Sequence, residues 1–446
     1  MTAFDQLLGR SFRCECGSTH VVPVQAIAVE RGVIDSCHSI LAHLVDAGAT
    51  LLIADPHTWE AAGSRVARAL QPHRTVETCI VPVPSGDDLH ASVELVAELA
   101  LSFPDRYDLY LAVGSGTIND LTKALAHQRQ RPYAVVATAA SMNGYTSWIA
   151  ALLDRGIKAT IAATPPVAVL ADPDILRTAP HELTLAGLGD LVSKPFCGVD
   201  WLLSALVRDE PYCPLPGRLL SDAFIAGLDQ FPALATRDEQ AVVELMRLLL
   251  LSGLGMTIAG TSSPASGGEH LVSHYWDMVN LASGRRLRLH GAQVGVASVA
   301  MNALFGQLLT IHLGATPFEP SPSPAAARAN LEKSFGPLTD AVWPHWQAKL
   351  GARCERDLER LAEHETRIKT EIRLLLEQGR QVRTALAGCN APMWAGDLSI
   401  ETGELSTALR HARMIRNRYT ALDVAAEVGI LDRFADHYPV CPSEYF

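Results

Sequence analysis

Three side chains in this sequence can hold a divalent cation between them. Asp190 in a turn formed by Gly187-Leu188-Gly189-Asp190, His270 in His270-Leu271-Val272-Ser273-His274 and His290 ahead of Gly291 supply one carboxylate and two imidazoles. Such a set binds a divalent ion and leaves a coordination position open for a substrate oxygen. His274 lies one helical turn beyond His270 and faces the same pocket if the segment is helical. The pair is not that of a zinc protease, whose glutamate lies inside the two histidines, because here Glu269 precedes them. The chain has 16 histidines, and taken singly most histidines are surface or core residues, so the assignment leans on the rest of the sequence.

A second constellation follows the apolar run Leu109-Tyr110-Leu111-Ala112-Val113, which leads directly into Gly114-Ser115-Gly116-Thr117-Ile118-Asn119-Asp120. A strand, a glycine turn and a helix start gather backbone N–H groups at the positive end of a helix dipole, which suits a pyrophosphate. A plain strand-to-helix turn explains the same residues, and the motif is neither Gly-x-Gly-x-x-Gly nor a P-loop. Asp55 ends another apolar run, Thr50 to Ala54, where a carboxylate can accept hydrogen bonds from a ribose diol. The competing reading is a helix N-cap. As a ribose ligand Asp55 would repel a 2′-phosphate and favour NAD over NADP. The strand Tyr133 to Ala137 opens into a small, polar loop from Thr138 to Ser147, at the sheet edge where ligands bind in open α/β folds.

These elements need a framework. The 446 residues suggest two or three domains, at roughly 100–200 residues each. The first ~178 residues alternate helical and strand patterns, as in an open sheet with helices on both faces. Ala159 to Ala163 and Val167 to Ala171, around Pro165-Pro166, read as a hairpin-like pair. From about Ala179 the pattern is helical, interrupted by the Pro-rich loop Thr316 to Pro324. The expected division is therefore 1–178, a Rossmann-like nucleotide-binding α/β domain, and 179–446, an all-α domain carrying the metal ligands and substrate site.

Composition excludes other classes. With 48% hydrophobic and 19% charged residues the chain reads as globular. A net charge of −11 and the lack of a basic run argue against nucleic acid. The apolar stretch Ala241 to Gly260 contains Glu244 and Arg247 and reads as a buried helix, with no membrane insertion. The N-terminus has neither a basic start nor an apolar h-region, so no export signal is expected. Nine scattered cysteines form no disulfide framework, which fits a cytoplasmic protein. Cys14, Cys16 and His20 imitate a metal clip, but Cys-x-Cys has no second half and no metal is assigned there.

Together, Gly114 to Asp120, Thr138-Ala139-Ala140-Ser141, Gly189-Asp190, Glu269 to His274 and His290-Gly291 resemble sn-glycerol-1-phosphate dehydrogenase, a family related to iron-containing-type alcohol dehydrogenases, glycerol dehydrogenase and 3-dehydroquinate synthase. The likeness runs from Cys14-Glu15-Cys16-Gly17 to Arg416-Asn417-Arg418-Tyr419-Thr420. It implies a dehydroquinate synthase-like fold, with an N-terminal nucleotide-binding domain, a C-terminal helical domain and the active site in the cleft between them. It implies zinc or nickel on Asp190, His270 and His290. Contacts to NAD or NADP would come from Asp55, Gly114, Ser115, Gly116, Thr117, Ile118, Asn119, Asp120, Thr138, Ala139, Ala140, Ser141 and Ser147. Asn143, Asp190 and His274 would touch substrate, with Asp120 near it, and Lys158 and Lys194 are candidates for its phosphate. Asp190, His274 and Asp120 are then the candidate catalytic residues, and a homodimer is implied. Asn143 stands where the family usually carries aspartate, and an amide can hydrogen-bond a hydroxyl but cannot take its proton.

The expected chemistry is reversible hydride transfer between the nicotinamide cofactor and dihydroxyacetone phosphate or a related phosphorylated polyol or ketone. His274 or ordered water would carry the proton. The alternatives are a 3-dehydroquinate synthase-like lyase, in which NAD is reduced and reoxidised within one turnover, and a metal-binding homologue without catalysis.

Overall fold

The computed structural model describes residues 4, 6–84, 88–154, 157–314, 322–352 and 355–439. The Pro-rich loop expected at 316–324 falls mostly outside them. The chain divides into two compact units, one of Met1–Leu191 with Pro214–Thr261, the other of Val192–Cys213 with Ser262–Phe446.

The first unit opens with an antiparallel hairpin of β1 (Ser11–Arg13) and β2 (Thr19–Val21). Its main sheet is built from β3 (Ala26–Val29), β4 (Ala49–Ala54), β5 (Thr75–Ile80), β6 (Leu109–Gly114) and β7 (Tyr133–Ala137). A second hairpin, β8 (Ile149–Asp154) with β9 (Ile157–Ala162), precedes the last strand of the sheet, β10 (Ala168–Ala171). The sheet order is β3-β10-β7-β6-β4-β5, and every pairing in it is parallel. β6, β7 and β10 are buried along their whole lengths, as expected for parallel strands covered on both faces.

The order fixes where a ligand belongs. β4 connects outward to β5, whereas β6, its other neighbour, connects the opposite way to β7. The switch point between β4 and β6 opens a crevice at their carboxyl ends. At those ends lie Asp55, directly after β4, and the Gly114–Gly116 turn, which begins with the last residue of β6.

The hairpin read from Ala159 to Ala171 is a misassignment. β9 pairs backward with β8, while β10 joins the main sheet between β3 and β7. Both strands are short, apolar runs beside Pro165-Pro166, and periodicity alone does not tell a local partner from a distant one.

The helix Glu239–Ala259 belongs to the first unit. Thr146 Oγ1 donates to the Leu250 carbonyl at 2.7 Å, and Thr257 Oγ1 donates to the Thr146 carbonyl at 2.9 Å. A Cβ on Gly253 would lie 2.2 Å from the Asn143 carbonyl oxygen, so glycine is what allows helix and loop to touch. The loop meets a second helix, His181–Val192, in the same way. A Cβ on Gly187 would sit 1.9 Å from the Ala140 carbonyl oxygen. The Gly187-to-Asp190 segment is thus helical, and its first glycine serves close approach, not a turn.

The second unit is helical. Lys194–Arg208, Gly268–Ala282, His290–Thr310 and Glu365–Gly388 pack around buried residues that include Phe196, Trp276, Phe305 and Ile372. Glu239–Ala259 and His290–Thr310 are long and apolar enough to cross a membrane, but 78% of each apolar window is buried inside the protein.

Gly187→Ala and Gly253→Ala should each destabilise the protein by ~1–3 kcal/mol, the usual cost of overpacking. Gly198→Ala, whose Cβ meets nothing within 4 Å, should be neutral or stabilise by up to ~1 kcal/mol. Chemical denaturation midpoints test the contrast, and three equal midpoints would show that the loop yields freely.

Candidate active site

The three candidate metal ligands are set by two helices and the end of a third. Asp190 is buried in the last turn of His181–Val192, the helix that carries the chain into the second unit. His270 lies in the first turn of Gly268–Ala282, and His290 is the first residue of His290–Thr310. Asp190, His270 and His290 each offer one ligand atom, and these atoms lie within 4.8 Å of one another. The rings of His270 and His290 are 5.3 Å apart between centroids. His274, one turn past His270, stacks against His290 at 5.4 Å and 28°.

Protonation follows from the partners of each ring. His270 Nδ1 is 2.7 Å from Glu269 Oε1, and a carboxylate only accepts, so Nδ1 carries the proton. His290 Nδ1 is 3.0 Å from Ser273 Oγ, whose own proton goes to Gln293 Oε1 at 3.0 Å. Gln293 Nε2 in turn donates to Asp277 Oδ1 at 2.9 Å, which fixes the amide orientation. With its one proton committed, Ser273 accepts from His290 Nδ1–H. Both rings therefore carry hydrogen on Nδ1, which leaves Nε2 as the atom to face an ion, the arrangement that supporting hydrogen bonds give to metal-binding histidines. The donor set fits a divalent cation of borderline softness, with a position left for substrate.

Glu269 is fully buried. Burial alone would raise its carboxyl, but hydrogen bonds from His270 and Cys197, with a further one from the Gly267 N–H, outweigh that and hold it below its ordinary range. Cys197, Glu269 and His270 also lie close enough to suggest a second ion. Their hydrogen bonds to one another account for that grouping.

On the sheet side, Ser115 precedes the helix Gly116–Gln128 and forms no side-chain cap, so the N–H groups of the first turn point from a helix end without a side-chain acceptor. Gly114 is obligatory, because a Cβ there would lie 2.6 Å from Ile118 Cβ. Thr138 N donates to the Gly114 carbonyl at 3.1 Å, which brings the Thr138–Ser141 loop to the same edge. Asp55 caps a helix as well as ending β4, its Oδ1 accepting from His57 N and Thr58 N at 2.9 Å each. Both readings of Asp55 thus concern the same residue, since the capping bonds use one carboxylate oxygen.

Asp120 is buried and accepts from Asn119 Nδ2 at 2.9 Å and Ala151 N at 3.1 Å. Burial raises its carboxyl, while Lys123 opposes the rise. Lys123, fully buried, donates to the Gly144 and Ile149 carbonyls and to Ser147 Oγ, so Ser147 helps to lock the loop that follows β7. Asn143 donates through its backbone N–H to Asp190 Oδ2 at 2.9 Å and through Nδ2 to Ser252 Oγ at 3.1 Å. Lys158 lies on β9 opposite Leu153. Lys194 is buried and donates to Ser193 Oγ and the Ala265 carbonyl, both at 3.1 Å.

Reading the sequence missed Ser273, Asp277 and Gln293. The signal was present in their spacing, since Ser273 and Asp277 are one turn apart on the helix of His270, and Gln293 is one turn after His290.

Comparison with known proteins identifies the family. A family profile described as iron-containing alcohol dehydrogenase matches residues 28–180. The glycerol-1-phosphate dehydrogenase (NAD(P)+) of Geobacillus stearothermophilus is 30% identical over 424 residues, covering 94% of this chain and 96% of that protein. The Halalkalibacterium halodurans protein of the same name is 35% identical over 294 residues, covering 66% of this chain and 73% of its own. The fold is shared with glycerol dehydrogenase from Schizosaccharomyces pombe, at a TM-score of 0.60, 16% identity and 95% coverage of both chains. The chain belongs to the glycerol-1-phosphate dehydrogenase family of iron-containing-type alcohol dehydrogenases, and is an NAD(P)-dependent oxidoreductase.

Proposed function

We propose that the protein reduces the ketone of dihydroxyacetone phosphate with NADH and, in reverse, oxidises sn-glycerol 1-phosphate or a closely related polyol phosphate. The observation that carries this reading is the pair of imidazoles locked as Nδ1–H tautomers beside Asp190. A divalent ion held by Asp190, His270 and His290, zinc or nickel in this reading, would supply Lewis-acid polarisation of the substrate oxygen.

The protein's own groups do the rest. Glu269 and the Ser273–Gln293–Asp277 chain keep two rings oriented with hydrogen on Nδ1. The N-terminal turn of Gly116–Gln128 and the loop Thr138–Ser141 hold the cofactor diphosphate and nicotinamide, and the second oxygen of Asp55 takes the ribose diol. The bound cofactor would supply hydride to the carbonyl carbon and one proton would be delivered to the oxygen, which balances NADH + H+ + ketone against NAD+ + alcohol. His274, stacked on His290, is placed to relay that proton. Asn143 orients a substrate hydroxyl, and Lys158 and Lys194 are the cations assigned to the phosphate. A cytoplasmic homodimer belongs to the same proposal, on family likeness alone.

The direct test follows NADH absorbance with dihydroxyacetone phosphate and with unphosphorylated dihydroxyacetone, before and after chelation. Consumption should require the phosphate and fall at least ~100-fold on metal removal, returning when zinc or nickel is restored. Activity that survives complete metal removal would refute the mechanism, and turnover of a substrate without net NADH change would point to lyase chemistry.

Ser273→Ala removes the acceptor of His290 Nδ1 and should weaken metal affinity ~10–100-fold. Metal titration of the folded variant reads this, and unchanged affinity would mean that His290 is oriented by other contacts.

Asp55→Ser keeps a good N-cap while deleting the carboxylate. The ratio of kcat/KM for NADH over NADPH should drop at least ~10-fold, about 1.4 kcal/mol, with little change in thermal stability. A constant ratio would confine Asp55 to its capping role.

A further inference from the structure

A second group of metal-binding side chains lies apart from the site above. Cys14, Cys16, His20 and Cys213 each offer one ligand atom, all within 4.8 Å of one another. Cys14, His20 and Cys213 are buried, and Cys16 is half-buried.

Three of the four come from the N-terminal hairpin. At its tip Cys14 N donates to the Ser18 carbonyl at 2.9 Å and Gly17 N donates to the Cys14 carbonyl at 3.0 Å. Gly17 turns the chain at φ +88°, a conformation open to glycine at little cost. The β1–β2 register sets Phe12 opposite His20, and their rings meet edge-on at 5.8 Å, which orients the imidazole. His20 Nε2 then lies 3.3 Å from Cys16 Sγ. That is close to the ~3.5 Å edge of a tetrahedron with Zn–N near ~2.0 Å and Zn–S near ~2.3 Å.

The fourth donor is remote in sequence. Cys213 immediately precedes Pro214, where the chain re-enters the first unit, and the helix Leu215–Leu228 follows. Arg218 of that helix forms an ion pair with Glu15, the residue between the two hairpin cysteines. The hairpin tip and the start of the helix are therefore held together by a contact that does not involve the thiols.

We propose that Cys14, Cys16, His20 and Cys213 form a closed, structural zinc site. Three thiolates and one imidazole are a soft, four-donor set that completes a tetrahedron and leaves no position for substrate or water, unlike the three-donor site of Asp190, His270 and His290. The bound ion would join residues about two hundred positions apart in the chain and add its binding free energy to folding. It would fasten the hairpin to the entry of the helix beside it.

The test uses the full-length protein with zinc quantified and then replaced by cobalt. Cobalt bound by three thiolates should show intense sulfur-to-metal charge-transfer absorption in the near ultraviolet. Cys213→Ser should reduce it by about one third or more and release one equivalent of zinc. His290→Ala and Cys197→Ser should leave the absorption intact, which separates this site from the one built around His270. Alkylation of the native wild-type protein gives the same answer without a variant: Cys16 should resist the reagent with zinc bound and react once zinc is stripped by a strong chelator. The proposal fails if cobalt gives no charge-transfer band, or if Cys16 alkylates equally with and without zinc. It also fails if protein purified without oxidant carries a Cys14–Cys213 disulfide.

Discussion

The chemistry depends on where two protons sit. An imidazole offers a lone pair to a metal only when neutral, and only on the nitrogen that lacks hydrogen. Glu269 claims the Nδ1 proton of His270, and Ser273 claims that of His290, so in both rings Nε2 is left as donor. The acceptors are themselves fixed. Glu269 takes bonds from Gly267 and Cys197, and the Ser273 hydroxyl is oriented by Gln293 and through it by Asp277. Burying carboxylates at Glu269 and Asp277 would be costly without such partners. The hydrogen bonds offset that cost and fix the tautomers.

Two helices suffice for this arrangement because of their period. Glu269, Ser273 and Asp277 recur every four residues along Gly268–Ala282, and His270 and His274 follow the same spacing one position later. His290 opens the neighbouring helix, with Gln293 one turn along. At the first position of a helix, the positive end of the dipole disfavours an imidazolium, while the Ser273 bond fixes which nitrogen carries hydrogen.

Much of this could be read from residue types, because ligand chemistry is local. Asp190, His270, His290 and the Gly114–Gly116 turn were candidates without coordinates, and the first three come together as a group able to hold an ion. The fold class followed from the change of period near Ala179. Partnership over distance was not legible. β10 was assigned to a hairpin because an apolar tetrad carries no label for its neighbour. Gly187 was read as a turn residue because glycine serves turns and close packing alike, and only the Ala140 carbonyl beside it decides which. The division near residue 178 came from periodicity, which cannot tell to which compact unit a helix such as Glu239–Ala259 attaches. Cys213 gives the strongest case: a ligand two hundred residues from its partners has no spacing to betray it.

The side chain of Asn143 does not set the bond to Asp190. It is the backbone N–H of residue 143 that donates to Asp190 Oδ2, so the bond persists whichever side chain stands there. The loop that presents this N–H is held at Ala140 by Gly187 and at its far side by Gly253, Thr146 and Thr257. At its start Thr138 is bonded to Gly114, the last residue of β6. A short run of backbone thus connects the edge of the sheet proposed to hold the cofactor to the carboxylate proposed to hold the metal, through contacts that need glycine and main-chain atoms more than particular side chains. The amide of Asn143 donates to Ser252, and exchanging it leaves in place the backbone bond that aims Asp190.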